Sequence, residues 1–489
     1  MSENRLDQPR EWIGHWWRPD RPDRVAAGVL TFDPVEGIRL RLIGGWSQRV
    51  STDIASGLVA THNEVERWPV VHGTSENRQL TLIQPWPESS RGNWGEDPHD
   101  QTLRAHTLLD GCHLETPETT SFVGAAVTVE NLTGWTEYGR VLLPHLRQRQ
   151  LADGSQKTRR SVATLPDGIE ATLIPTSESG SWEMRRDGRN ETRHTEASVS
   201  FYSSRERDME TWFSLMSGVA DLVSLSTMSA CANLSMQLLL PPAREEQASE
   251  HPWASAARAV DVYREHVVKP DPNGSPTSVS DFVLTEADLP WAELFPAWMA
   301  VRERFAAARS LILGLRYITE GYLGSRVVTA VAAAEAFHRG LDLQAPLPQD
   351  EFVALRKVLI AAAPKERRQW VNDRVQYNEP SLKQRLVDLA ERPGTFMHTL
   401  VPDAALWARI AARARNDLAH RGDAGDDFQQ LHAVVEVTTA VVVMNLLREV
   451  GVSQDRLEAA LDDHSQFRWA AELARRHFSE APPLKQNES

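Results

Sequence analysis

VPDAALWARIAARARNDLAHRGD, residues 401–423, opens on Pro402-Asp403, a suitable N-cap, spaces its apolar residues helically and stops at Gly422, which accepts the left-handed conformation of a helix end. The next stretch, DFQQLHAVVEVTTAVVVMNLLREVG, residues 427–451, is apolar almost all round at its centre. Such a helix needs cover on every side, from neighbouring helices or from a second subunit. Its most apolar run, Val441 to Leu447, falls far short of the roughly 20 residues that cross a bilayer, and Glu436 and Asn445 interrupt its surroundings. A buried helix is predicted, not a membrane span.

Upstream, from about Leu289, the helical period recurs in FPAWMAVRERFAAARSLILGLR, SRVVTAVAAAEAFHRGL, DEFVALRKVLIAAAP and SLKQRLVDLAERP. Downstream, Ser453 to Glu480 adds one or two helices before a polar end that should fray. Towards the N-terminus the period shortens to two. In GVLTFDPVEGIRLRLIGG, residues 28–45, two apolar runs flank Pro34-Val35-Glu36-Gly37, and Ile38, Leu40 and Leu42 alternate with Arg39 and Arg41, a hairpin with one wet face. WPVVHGTSENRQLTLIQPW, residues 68–86, repeats this around a Gly-Thr-Ser-Glu-Asn turn, and SFVGAAVTVENLTGW, residues 121–135, does so again. Turn-rich segments at 241–252 and 270–281 suggest a boundary, with a helix over 254–268 bridging them. The fold class is therefore α+β multidomain. A β-rich, sandwich- or barrel-like domain spans 1–270, a linker 271–288, an all-α bundle 289–451 and a helical tail 452–489.

At 489 residues the chain exceeds what one core usually organises, and 41% hydrophobic with 25% charged residues is an ordinary globular composition. The N-terminal residues lack a basic segment followed by an apolar one, so a cytoplasmic protein is expected. Cys112 and Cys231 imply no disulfide framework. A net charge of −14 opposes wrapping of nucleic acid over a wide surface, so any such contact must be local. Eleven of the sixteen tryptophans precede residue 254, which raises a carbohydrate-binding enzyme as one reading. No carboxylate pair stands out, however, and tryptophans buried in a core are the plainer account.

The chain has no GxxxxGK, GxGxxG, HExxH or GxSxG pattern, which removes support for common nucleotide-driven and hydrolytic mechanisms. His99, His106, Cys112 and His113 lie in one polar segment without a recognised ligand spacing, so no metal is assigned. Arginine followed by histidine after a short gap is uninformative, since Arg10 with His15, Arg67 with His72 and Arg140 with His145 all match. Requiring Arg-Asn and then His after three residues leaves Arg189, Asn190 and His194, and Arg415, Asn416 and His420. The first set lies in a polar, Gly-interrupted stretch that reads as a solvated loop. The second ends an amphipathic helix.

There Arg415, Asn416 and His420 resemble the HEPN superfamily, helical bundles whose ribonuclease members carry Arg-Asn-x-x-x-His before the last core helix. The segments IGHWWRPD, GVLTFDPVEGIRLRLIGG, VVHGTSENRQLTL and VTVENLTGW resemble the N-terminal domain of ApeA-type anti-phage defence proteins. The resemblance implies a cofactor-free and metal-independent endoribonuclease in which the 2′-hydroxyl of RNA attacks the adjacent phosphate. Arg415 would hold phosphate oxygens and His420 exchange protons, with Asn416 supporting. Glu335 is the candidate for a further acidic group, against a solvated or salt-bridged glutamate, and Arg339, Arg385 and Arg421 could line an RNA groove or lie on wet helix faces. Arg415 and His420 are roughly 140° apart on an ideal helix, so a homodimer that combines both chains' residues is expected, without a membrane partner and with a phage-derived trigger at the N-terminal domain. Two rivals remain: a noncatalytic HEPN module that holds a nucleotide or RNA, and a plain capped helix end in which Arg415 and His420 satisfy the last carbonyls.

Overall fold

The hairpin over residues 28–45 forms with Asp33 opposite Gly37; the Asp33 carboxylate accepts from the Val35 and Glu36 amides at 2.8 and 2.9 Å, and Gly37 takes φ 84°. The structure, a computed structural model, describes residues 5–46, 49–54, 58–65, 68–91, 98–136, 160–186, 188–242, 257–271, 273–278, 281–318, 321–422 and 427–479. Contacts divide the chain into two units, Met1–Val279 with Thr285–Pro296 and Ser280–Leu284 with Ala297–Ser489. The span 271–288 thus contributes to both, and it buries Phe282, Val283 and Leu284.

The first unit contains β1 (Arg10–Arg18), β2 (Arg21–Asp33), β3 (Gly37–Ile43), β4 (Arg49–Ile54), β5 (Leu58–Val65), β6 (Val70–Ser75), β7 (Arg78–Ile83), β8 (Trp86–Arg91), β9 (Asp100–Ala105), β10 (Thr107–Asp110), β11 (Phe122–Val129), β12 (Ser161–Thr164), β13 (Glu170–Arg185), β14 (Gly188–Arg207), β15 (Asn233–Leu240) and β16 (Arg258–Arg264). Fourteen of them share one antiparallel ladder, in the order β12, β13, β14, β11, β15, β16, β10, β7, β6, β1, β2, β3, β9, β8, while β4 pairs with β5. Only His106 separates β9 from β10, so the run from β10 through β1 to β9 curls back on itself and brings its two end strands together, without a ladder between them. Across this curl Trp12 of β1 donates from Nε1 to the fully buried Asp110 of β10 at 3.1 Å. The remaining strands from β16 to β12 extend as an open sheet.

Several local readings change. The hairpin of β6 and β7 turns on Glu76 and Asn77 alone, at φ 47° and 66°, a tighter turn than the five residues expected. Residues 121–135 form β11 and then the single turn α1 (Leu132–Trp135), not a hairpin. Where a bridging helix was expected over 254–268, residues 258–264 form β16: Val260 and Val262 fill the space between β15 and β10, which outweighs the helical leaning of the neighbouring alanines. An unanticipated helix, α2 (Met209–Thr227), covers β11, β14 and β15 and is capped by Asp208, whose carboxylate accepts from the Thr211 amide at 2.7 Å. The tryptophans are core residues here: Trp12, Trp16, Trp46, Trp68, Trp135 and Trp212 are all buried.

The second unit is helical from inside α3 (Trp291–Arg304) onward, through α4 (Ala306–Tyr317), α5 (Leu323–Gly340), α6 (Gln349–Ala362), α7 (Arg368–Arg374), α8 (Leu382–Glu391), α9 (Ala404–Arg421), α10 (Phe428–Val450), α11 (Gln454–Asp463) and α12 (Ser465–His477). By length and composition α10 could cross a membrane, but 83% of its most apolar window is buried, with α5, α9 and α12 among its neighbours. Its two polar interruptions are satisfied. Asn445 donates to the Leu389 and Val441 carbonyls, each at 2.9 Å, and Glu436 lies 3.6 Å from Arg316. Beyond Gly451 the chain stays in the bundle, with Phe467, Leu473 and Ala474 of α12 buried. The frayed end expected after residue 479 lies outside the described residues.

Candidate functional site: the end of α9

α9 starts where Asp403 accepts from the Leu406 amide at 2.8 Å and ends where Gly422 adopts φ 73° and donates to the Leu418 carbonyl at 3.1 Å. Trp407, Ala408, Ala411, Ala412 and Ala414 are buried, and these mostly small residues let α5 and α8 lie close against one face. Gly324 at the start of α5 shows how close: a Cβ there would stand 3.0 Å from Cδ2 of Leu418. The last turn of α9 is thereby held firmly while its outer face stays in solvent.

Arg415 points from this helix towards α5. Its Nη2 lies 3.8 Å from Oε2 of Glu335, its Nη1 donates to Oδ1 of Asn416 at 3.1 Å, and its Nε is buried without an acceptor among the described residues. Glu335 also accepts from Arg339 at 3.0 Å, Arg339 lies 4.0 Å from Glu379, and Glu379 pairs with Arg385. Three guanidiniums to two carboxylates leave this chain of ion pairs with one net positive charge. His420 lies beyond it, exposed in the final turn of α9.

These placements refine the sequence reading. Glu335, 21% exposed, is salt-bridged to Arg339 and lies 3.8 Å from Arg415, so it is not freely solvated, and the salt-bridged alternative stands beside a role in the site. Asn416 shares a face with His420, yet its bond is to the neighbouring Arg415. Arg385, expected on a groove or a wet face, is on neither: it is 4% exposed and donates from Nε to the Pro380 carbonyl at 3.1 Å. Arg339 and Arg421 are exposed, the latter 3.5 Å from Asp417. α9 is a continuous helix, so one chain places Arg415 and His420 on different faces. Glu379 and Asp417 were missed. Asp417 was legible as the i+4 partner of Arg413 and the i−4 partner of Arg421, whereas Glu379 lies outside any helix and carries no periodic signal.

The rival motif has another setting. Arg189, Asn190 and His194 belong to β14, not to a loop, because residues 170–207 form one long hairpin of β13 and β14. His194 is exposed there, 3.4 Å from Glu196. The four residues weighed for metal binding also separate: His106 meets Glu265 at 2.9 Å, Nε2 of His113 meets the Gly73 carbonyl at 2.9 Å, and burial pushes the Cys112 thiol up to about 12.

Residues 11–298 match the family model described as ApeA N-terminal domain 1, and residues 328–456 match Apea-like HEPN. The chain belongs to the ApeA family of anti-phage defence HEPN proteins. Glu335, Arg415, Asn416 and His420 all fall inside the HEPN match of this ApeA-type chain. No curated protein matches it. A solved chain titled "pT26-6p" aligns over 97% of this chain and 93% of its own at 9% identity, but with a TM-score of 0.13 that likeness carries no argument.

Proposed function

We propose that this ApeA-family protein is a metal-independent endoribonuclease effector that arrests infected cells, with its active centre at the end of α9. The observation that carries this reading is the Arg415 guanidinium, 3.8 Å from the Glu335 carboxylate, on the same helix end as an exposed His420. A guanidinium suits the nonbridging oxygens of a phosphodiester as they gain charge in the transition state. An imidazole, which can both accept and donate a proton, suits the proton transfers. The 2′-oxygen forms the new bond to phosphorus as its proton leaves, the bond to the 5′-oxygen breaks and that oxygen is protonated, leaving a cyclic phosphate and a 5′-hydroxyl.

Because Arg415 and His420 diverge within one chain, the working site joins residues of two subunits in a homodimer. The β-rich domain serves as sensor of a phage-derived trigger, in the cytoplasm. The cap reading is compatible with this one, since Gly422 closes the helix without help from either side chain. The test is to map RNA ends in cells that express the wild type or His420→Ala. Cyclic-phosphate ends that accumulate with the wild type and vanish with the variant support the proposal. Identical ends in both favour a noncatalytic HEPN module that only binds nucleotide or RNA.

A further inference from the structure

Between α5 and α8 the chain leaves the bundle as a helical arm, α6 and α7 joined through Ala363, Pro364 and a 3-10 turn at Lys365–Arg367. No residue of α6, this turn or α7 is buried. The arm holds itself together: Arg356 donates to Oδ1 of Asn372 at 2.6 Å, and Asn378 closes the base by donating to the Leu347 carbonyl at 2.7 Å. Between its helices runs an open groove of about 620 Å³ whose floor includes Leu359 and Val371 and whose sides carry Trp370, Arg367 and Arg374. Trp370 is 58% exposed, and the Arg374 guanidinium lies 5.6 Å from its ring centroid.

Charge decides what fits this groove. The arm, residues 349–375, contains six basic and four acidic side chains, net +2, in a chain of net charge −14, and its acidic Asp350 and Glu351 lie at the first turn of α6, away from Arg367 and Arg374 in sequence. A second arm would meet it with the same charge, whereas a polyanion is attracted. An apolar floor with an exposed indole between guanidiniums accepts the face of any unpaired base, while the arginines track phosphates. Beyond the base of the arm, Glu379 reaches both Arg385 and Arg339, and through Glu335 the same ion pairs reach Arg415. We infer that the α6–α7 arm is a single-stranded RNA-binding element that feeds substrate to the α9 site, an inference that rests on the ribonuclease reading.

The test uses the full chain with His420→Ala as background and a 2′-O-methylated, noncleavable oligoribonucleotide as probe, so that binding is read apart from cleavage. Trp370→Ala should weaken binding about tenfold and Trp370→Phe should largely restore it, because stacking needs only an aromatic face. Arg367→Ala with Arg374→Ala should lower the salt dependence of binding, by about 0.7 in logarithmic slope for each phosphate that the arm ceases to neutralise. These positions are not buried, so the variants should fold, with circular dichroism as the check. Unchanged affinity and slope would overturn the inference, as would a shift from dimer to monomer in light scattering, which would make the groove a seat for a second copy. If the probe binds as described but the wild type cleaves no RNA, the catalytic reading fails and the arm stands as a binding site.

Discussion

Arg415 and His420 share a helix but not a face, and what holds Arg415 is a carboxylate on another helix. Glu335→Ala should therefore lower the cleavage rate by up to about fivefold, the scale of losing one partly exposed ion pair. Glu335→Gln should lower it less, and circular dichroism should show both folded; equal rates for all three proteins would remove Glu335 from the site. A second residue makes a prediction about pH. Burial, and then the neighbouring Arg264, push the imidazole of His266 down to about 4, and its Nε2 faces Sδ of Met236 at 3.2 Å. A depressed imidazole contributes stability that is present above the unfolded value of about 6.5 and lost as pH falls towards the folded one. Melting temperature should drop from pH 6.5 to 4, and His266→Gln should flatten that part of the profile. The same slope in both proteins would assign it to other groups.

At the scale of elements, the seam between β1 and β6 rests on a missing side chain. Trp16 stands opposite Gly73, where a Cβ would come within 2.2 Å of the indole ring. Gly73→Ala should destabilise the protein by about 1–3 kcal/mol in denaturant unfolding, the usual cost of overpacking a filled core; no change would mean that Trp16 moves freely. Elements with a clear period were legible in the sequence, among them the β2–β3 hairpin and helices α5, α8, α9 and α10. α2 was overlooked although its sequence carries a helical period: Glu210, Ser214, Ser217, Asp221 and Ser224 recur at steps of three and four, but fourteen of its nineteen residues are buried and the stripe is narrow. β16 was misread because it is held in place between β15 and β10, and β10 lies about 150 residues away in sequence. The curl of the sheet that brings β9 and β10 together at His106 follows from strand pairing between distant segments, which periodicity does not encode. The helix end that carries the candidate residues Arg415, Asn416 and His420 was legible from motif and helical context, but the pairing of Arg415 with Glu335 across eighty residues was not.

For the whole molecule, the proposed function requires an acidic protein to confine positive charge where RNA would meet it, and the arm and the α9 end are the proposed places. The composite site makes the subunit count part of the chemistry. Arg415→Ala and His420→Ala chains, each inactive alone, should recover cleavage when mixed, since a mixed dimer retains one intact copy of each group; no recovery would place both groups in one chain and remove the dimer from the mechanism. The most direct measurement is RNA cleavage by the purified protein in EDTA, comparing wild type, Arg415→Ala, His420→Ala and His194→Ala. The account predicts cyclic-phosphate products from the wild type and His194→Ala, and a loss of about 10²- to 10⁴-fold in the other two. Cleavage that persists undiminished in Arg415→Ala and His420→Ala, or that requires a metal, would contradict it.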